Sequence, residues 1–189
     1  ILNSLFLILL LYLKYNELIM EVKLPREVVD ILEKFQKEGF EIYIVGGAVR
    51  DLLMGKDVYD WDFTTNATPP TMMNFLPNAF YDNEFGTVGI PSIVAGERPY
   101  EITTFRTELG YSDTRRPDKV EWGKSLEEDL KRRDFTINAM ALRLEAAAQS
   151  TKHKAESGEN MHYALCTMHL IDLYNGQRDL KNKLLRSVG

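Results

Sequence analysis

The sequence predicts a mixed α+β fold, and three observations carry that prediction. Short alternating, β-branched or aromatic runs such as "EIYIV" and "DVYDWDFTT" read as strands. Helix-period runs with cap residues lie among them. The two kinds do not follow the strict strand–helix–strand alternation of a parallel sheet. The chain has 189 residues, 44% of them hydrophobic, enough for one sizeable core or a core with an appendage.

Ile1 to Leu13 is almost wholly apolar, yet short of the roughly 20 residues a membrane helix needs. It has no basic flank and no small-residue cleavage site, so it does not read as a signal peptide. Met20 is taken as the natural start, with an amphipathic helix after it. Residues 1–19 are then a doubtful leader or non-native segment, residues 20–189 form one domain, and no stable membrane association is expected. In "LPREVVDILEKFQKEGF", Val28, Ile31, Leu32 and Phe35 stand at helical spacing and Gly39 ends the helix. "EIYIV" is a strand, broken by Gly46-Gly47. "AVRDLLMG" is a short helix and "DVYDWDFTT" a second strand. "ATPPTMMNFL" starts a helix with Thr68 as N-cap and Pro69 as its first residue. "GTVGIPSIVAG" and "PYEITTF" are strands, and "RTELGYSDTRRPDKVEW" reads as a mobile loop. Ser125 and Glu128 stand in capping-box register, so a helix begins there, and "TINAMAL" is read as its continuation. Residues from about 144 to 169 are read as a flexible insertion. "LIDLYNGQRDLKNKLLRSVG" then gives a strand, an Asn-Gly turn, a short helix and a final strand.

The formal net charge of −5 does not mark a nucleic-acid binder; RNA would have to be held by a local basic groove. The single cysteine, Cys166, excludes an intramolecular disulfide and fits a reducing compartment. The cytoplasm is expected, with the mitochondrial matrix as the alternative. His153, His162, Cys166 and His169 have irregular spacing that matches no zinc pattern.

Chemistry gathers in "VGGAVRDLLMGKDVYDWDFTT". Residues two apart on a strand share a face, so Asp60 and Asp62 would point the same way. Paired carboxylates repel unless a cation lies between them, and Mg²⁺ binds one or two carboxylates together with substrate phosphates. A bare Asp-x-Asp is more often a solvated surface pair. The Gly46-Gly47 turn before a helix alters that balance, because glycines let phosphates approach the backbone. Arg50 could reach a phosphate or make a structural salt bridge. Glu101 is either a third carboxylate near the pair or an edge-facing charge. Arg132, Arg133 and Asp134 form a corner that can present guanidinium groups to a nucleotide, or a solvated charge run.

Four segments in order resemble the second class of tRNA nucleotidyltransferases, the CCA-adding enzymes. That class also holds the bacterial poly(A) polymerases and the separate CC-adding and A-adding enzymes. "GGAVRDLLMGKDVYDWDFTTNATP" looks like its first motif and "EEDLKRRDFTINAMAL" its second. "YEITTFRTELGYSDTRRPDKVEW" resembles the strand and loop between them, and "LIDLYNGQRDLKNKLLRSVG" the end of the head domain. The match covers about residues 40–143 and 170–189.

The resemblance implies a DNA polymerase beta-like nucleotidyltransferase fold, a small, mostly antiparallel sheet backed by helices. It implies Mg²⁺ on Asp60 and Asp62, with Glu101 at an acidic strand position that completes the site. Gly46, Gly47 and Arg50 would contact nucleotide. Arg133 is the best match to the second motif's arginine, with Arg132 as the alternative. Asp134 and Asn138 are similar to positions associated with ribose recognition. The expected activity is nucleotidyl transfer from CTP and ATP to a tRNA 3′ end, with poly(A), CC or A addition, or a non-catalytic nucleotide-binding fragment, as alternatives. Helical neck, body and tail domains, which would choose the base and hold the tRNA, are expected after "RSVG" and are absent from this chain.

Overall fold

The computed structural model of the chain describes residues 18–81, 86–92, 98–109, 119–122, 125–145 and 163–189. Strand β1 (Leu18–Pro25) leads into helix α1 (Arg26–Lys37), β2 (Ile42–Val45), α2 (Gly47–Leu53), β3 (Asp62–Thr65) and α3 (Pro69–Phe75). Then come β4 (Phe80–Tyr81), β5 (Thr87–Ile90), β6 (Tyr100–Thr104), β7 (Arg106–Leu109) and β8 (Lys119–Trp122). Helix α4 (Leu126–Lys131), a 3₁₀ turn (Thr136–Asn138), β9 (Ala141–Leu144), β10 (Tyr163–Ile171) and α5 (Gly176–Lys181) complete the order. Eight strands form one sheet in the order β1-β10-β9-β2-β3-β6-β5-β4, with β7 and β8 as a separate pair. Within the large sheet, β3 and β6 run parallel and every other neighbouring pair is antiparallel.

β2 is buried along its whole length because its alternate side chains enter two different cores. Ile42 and Ile44 pack with Phe63, Ile102, Leu142 and the apolar stripe of α1, including Leu32 and Phe35. Phe35 meets Phe75 of α3 edge-on, with ring centroids 5.0 Å apart. Tyr43 and Val45 face the other way, onto Ala141, Ile171, Phe105 and the α4 residues Leu126 and Leu130. Pinned from both sides, β2 delivers the glycine turn at its end to a fixed place. At the start of α4, the Ser125 hydroxyl accepts from the Glu128 amide at 3.4 Å, as the capping register anticipates.

Several expectations are corrected. The chain from Met20 to Pro25 is strand, and the helix starts only at Arg26; β1 also takes in Leu18 and Ile19, across the boundary drawn at Met20. "TINAMAL" is not a continued helix: a 3₁₀ turn gives way to β9, which is drawn into the sheet between β10 and β2. The insertion read over 144–169 is too long. Tyr163 to His169 belong to β10, whose Ala164, Cys166, Met168 and Leu170 alternate into the core, while 146–162 lie outside the described residues. Residues of the presumed loop pair at both ends as β7 and β8, and 110–118 lie outside the described residues. The second strand starts at Asp62 rather than at residue 57. The final strand is reduced to a single bridge between Phe135 and Ser187.

Among the described residues no helix is long and apolar enough to cross a membrane. Cys166 is 1% exposed, and burial, aided by the Glu33 charge, pushes its thiol up to about 11. The thiolate is the reactive species. Alkylation by iodoacetamide at pH 8 should therefore be negligible in the folded chain and appear in step with unfolding in urea, read by mass spectrometry.

Candidate active site

β2 ends at Val45, and Gly46 then takes φ 71° and ψ −138° as the N-cap of α2. That backbone region is disfavoured for residues with a Cβ. Space is tight as well. A Cβ on Gly46 would lie 3.1 Å from Arg133 Nη1 and 3.4 Å from Asp62 Oδ2. Three segments remote in sequence thus meet at one glycine. The register explains how: Asp62 lies opposite Val45 in the antiparallel β2–β3 pair, so both side chains leave the sheet on the face that α4 covers. Arg133 follows directly after α4.

The Asp62 carboxyl is held above the usual aspartate range. Burial is the main cause and the charge of Asp60 adds to it, while Arg133 opposes both. Asp60 lies outside the strand, so strand alternation does not orient it, yet its charge still reaches Asp62. Asp60 is exposed and accepts from Arg98 Nη1 at 2.8 Å. Glu101 stands beside Asp62 in the parallel register of β3 and β6. Among the described residues, however, no three acidic, His or Cys side chains gather into one metal-holding group. The donor set still fits Mg²⁺. Two neighbouring carboxylates, one of them destabilised by burial and like charge, are relieved by a hard cation that takes its other ligands from phosphates and water.

Arg133 is largely buried. Burial pushes its guanidinium below the ordinary arginine value, against the opposing pull of Asp129. Its Nη2 donates to Asp129 Oδ2 at 3.3 Å, and its buried Nε has no partner. Arg132 directs Nε and Nη2 to Asp129 Oδ1 at 3.0 and 2.9 Å. Of the two arginines, Arg133 is the one brought to the Gly46 turn. Arg50 lies over Gly47, where a Cβ would sit 3.4 Å from its Nη2. Its Nε and Nη2 take both oxygens of Asp51 at 2.9 and 3.0 Å, and its Nη1 donates to Asn138 Oδ1 at 3.0 Å. The salt bridge with Asp51 is made while Arg50 stays beside Gly47. Asp134 is exposed; its carbonyl accepts from the Val188 amide, and its side chain makes no hydrogen bond to the others.

Three residues of this arrangement escaped the sequence reading. Asp129 is wholly buried between two arginines. Its spacing of three and four residues from them, on a helix, was the available signal. Asp51 holds Arg50 from the adjacent position. Arg98, on Asp60, had no local signal, since the two are 38 residues apart. An apolar cleft of about 600 Å³ lined by Thr68, Pro69, Pro70, Met73 and Tyr81 lies elsewhere and offers no charge to a phosphate.

Comparison with known proteins bears on this geometry. A family profile described as the poly A polymerase head domain matches residues 42–186. The CCA-adding enzyme of Lactobacillus helveticus (strain DPC 4571) is 41% identical over 164 residues, covering 86% of this chain and 35% of that protein. The CCA-adding enzyme of Streptococcus suis (strain 05ZYH33) is 42% identical over 165 residues, 87% of this chain and again 35% of the relative. The chain therefore spans about a third of the length of these relatives. Among solved structures, the Bacillus stearothermophilus CCA-adding enzyme in complex with CTP superposes with a TM-score of 0.61 at 33% identity, covering 87% of this chain and 33% of that one. A tRNA nucleotidyltransferase complexed with a primer tRNA and an incoming ATP analog gives 0.54 at 34% identity, over 82% of this chain and 37% of that one. With the sheet, the glycine turn and the paired aspartates in place, the chain belongs to the poly(A) polymerase head-domain family, with the DNA polymerase beta-like nucleotidyltransferase fold.

Proposed function

We propose that this chain is the catalytic head of an enzyme that transfers nucleotides from CTP and ATP to the 3′-hydroxyl of RNA, building or repairing the CCA end of tRNA. The observation that carries the reading is the convergence of Arg133 and Asp62 on Gly46. A guanidinium and a carboxylate side by side, at a backbone position with no side chain, offer an anion site next to a cation site. A triphosphate with its metal needs that combination. The relatives in complex with CTP, and with a primer tRNA and an ATP analog, support the same substrates.

Asp60 and Asp62 would hold Mg²⁺, whose charge activates the attacking hydroxyl and offsets that of the triphosphate. The remaining work is positioning and charge neutralisation by the chain itself. Gly46 lets phosphate oxygens approach the backbone. Arg133 meets them with a guanidinium already aligned by Asp129. Arg50, locked by Asp51 and Asn138, shapes the wall over Gly47. Asp60 can leave its exposed ion pair with Arg98 at little cost. The cytoplasm is part of the same proposal, since an unpaired buried cysteine suits a reducing compartment.

The test of function is transfer from CTP and ATP, supplied separately and together, to tRNA lacking its CCA end, using the whole protein that carries this head. Ordered addition of C, C and A is expected; extended poly(A) tails would assign the alternative activity. Asp60→Ala and Asp62→Ala should each lower that rate by at least about 10³-fold. Near-normal turnover in either would remove the metal assignment.

Gly46→Ala should weaken Mg·CTP binding to this chain by about tenfold or more and cost about 1–2 kcal/mol of stability, from the positive φ and the crowding of Arg133. Titration calorimetry and thermal melts measure the two effects.

Because the folded pKa of Asp62 is raised, its ionisation costs folding free energy, and stability falls as pH rises through and above the ordinary aspartate value of 3.8. Asp62→Asn should accordingly raise the melting temperature of the metal-free chain at pH 7 while abolishing Mg²⁺-dependent nucleotide binding. A lower melting temperature would contradict the electrostatic account.

A further inference from the structure

Asp179, on α5, is a carboxylate with no solvent exposure, outside every residue placed in the nucleotide site. A buried carboxylate is costly unless it is paired and hydrogen-bonded, so its partners reveal what it is for. The Thr136 hydroxyl donates to its Oδ2 at 2.8 Å. Arg186 Nη2 lies 3.3 Å from Oδ1, within ion-pair range, although that oxygen receives no well-aligned hydrogen bond. Thr136 opens the 3₁₀ turn, and Asn138 closes it. Asn138 is the residue whose Oδ1 receives Arg50 Nη1.

Two further contacts hold the same turn. A Cβ on Gly176 would fall 2.2 Å from the Thr136 carbonyl oxygen and 2.9 Å from Met140 Cγ, so the start of α5 rests directly against the turn's backbone. The Thr136 amide donates to the Arg186 carbonyl at 3.0 Å, and the Val188 amide to the Asp134 carbonyl at 3.2 Å. The turn is thus seated on α5 and the segment after it, while its far end faces the nucleotide site.

The chemistry of Asn138 gives that seating a consequence. A guanidinium only donates, so the amide of Asn138 must turn its oxygen to Arg50. Its Nδ2 hydrogens are then left as donors of fixed direction, suited to a ribose hydroxyl or a phosphate oxygen. Moving the turn would release the amide to rotate and free Arg50 Nη1 from its acceptor.

We propose that Asp179 is a positioning residue that acts through Thr136 to fix the Asn138–Arg50 pair, and through it the affinity for nucleotide. The proposal rests on the nucleotide-site reading above. A carboxylate that merely stabilises the fold would leave binding by the folded chain unchanged, or lower it independently of Asn138.

The experiment is a double-mutant cycle read by titration of Mg·CTP into this chain, with a thermal melt of every variant to confirm that it is folded. Thr136→Val, Asp179→Asn and Asn138→Ala should each weaken Mg·CTP about tenfold. Thr136→Ser, which keeps the hydroxyl, should bind like the parent. Adding Thr136→Val or Asp179→Asn to Asn138→Ala should produce no further loss. Losses that multiply in the double variants, or parent-like binding by both single variants, overturn the proposal.

A ligand-free readout separates this idea from the one it rests on. Thr136→Val and Asp179→Asn should shift the Asn138 side-chain amide and Arg50 Nε–H signals in a ¹H–¹⁵N spectrum; unmoved signals count against positioning. If the parent chain binds no Mg·CTP yet those signals move, the nucleotide-site reading falls and the positioning role stands. If either variant does not fold, the other, with Thr136→Ser as its control, decides the outcome.

Discussion

An arginine guanidinium and a half-buried aspartate meet over Gly46, and the rest of the molecule is arranged to hold them there. The constraint has two parts. The backbone at Gly46 has a positive φ that favours glycine, and Arg133 and Asp62 crowd the place of a side chain from both sides. Neither Arg133 nor Asp62 is comfortable: burial opposes the charged form of each, and their mutual attraction offsets that only in part. A site that leaves a buried guanidinium Nε without a partner and a carboxylate above its usual range is poised for ligands of both signs.

The sheet supplies the rigidity this arrangement requires. β2 carries Val45 to the turn and is gripped by two separate cores, so Gly46 has little freedom to move. β3 fixes Asp62 against β2 by register, and β6 sets Glu101 beside it. On the face it covers, α4 brings Asp129, and Asp129 aligns two arginines at once. Behind them the 3₁₀ turn links α5 to Arg50 through Asn138. Positive and negative charges are interleaved: Arg50 stands beside Asp51, Arg98 on Asp60, and Asp129 between Arg132 and Arg133.

Much of the local structure was legible in the sequence, because local rules governed it. The α1 stripe, the Ser125 cap and the strand–glycine–helix unit followed from periodicity and cap chemistry, and the structure contains all three. Where the reading failed, a distant partner had decided the outcome. "TINAMAL" has helical composition, but Ala141–Leu144 is taken into the sheet between two strands. β10 has a clear period of two from Ala164 to Leu170, hidden by the polar run before it. Strand β1 gains its identity by pairing with β10, across more than a hundred residues.

The sequence by itself determined which chemical groups the site has: two aspartates one residue apart, a glycine turn, and arginines at the end of a capped helix. Composition and motif order are properties of the chain alone, and they were sufficient to indicate the reaction class. Only the tertiary structure decided which groups meet. It brought Arg133 rather than Arg132 to the Gly46 turn, paired Arg50 with Asp51 and Asn138, and brought in Asp129, Arg98 and Asp179. The physical reason is that charge pairing acts through space over a few ångströms. The separations along the chain, 88 residues between Arg50 and Asn138 and 43 between Thr136 and Asp179, carry no information about it until the sheet has folded.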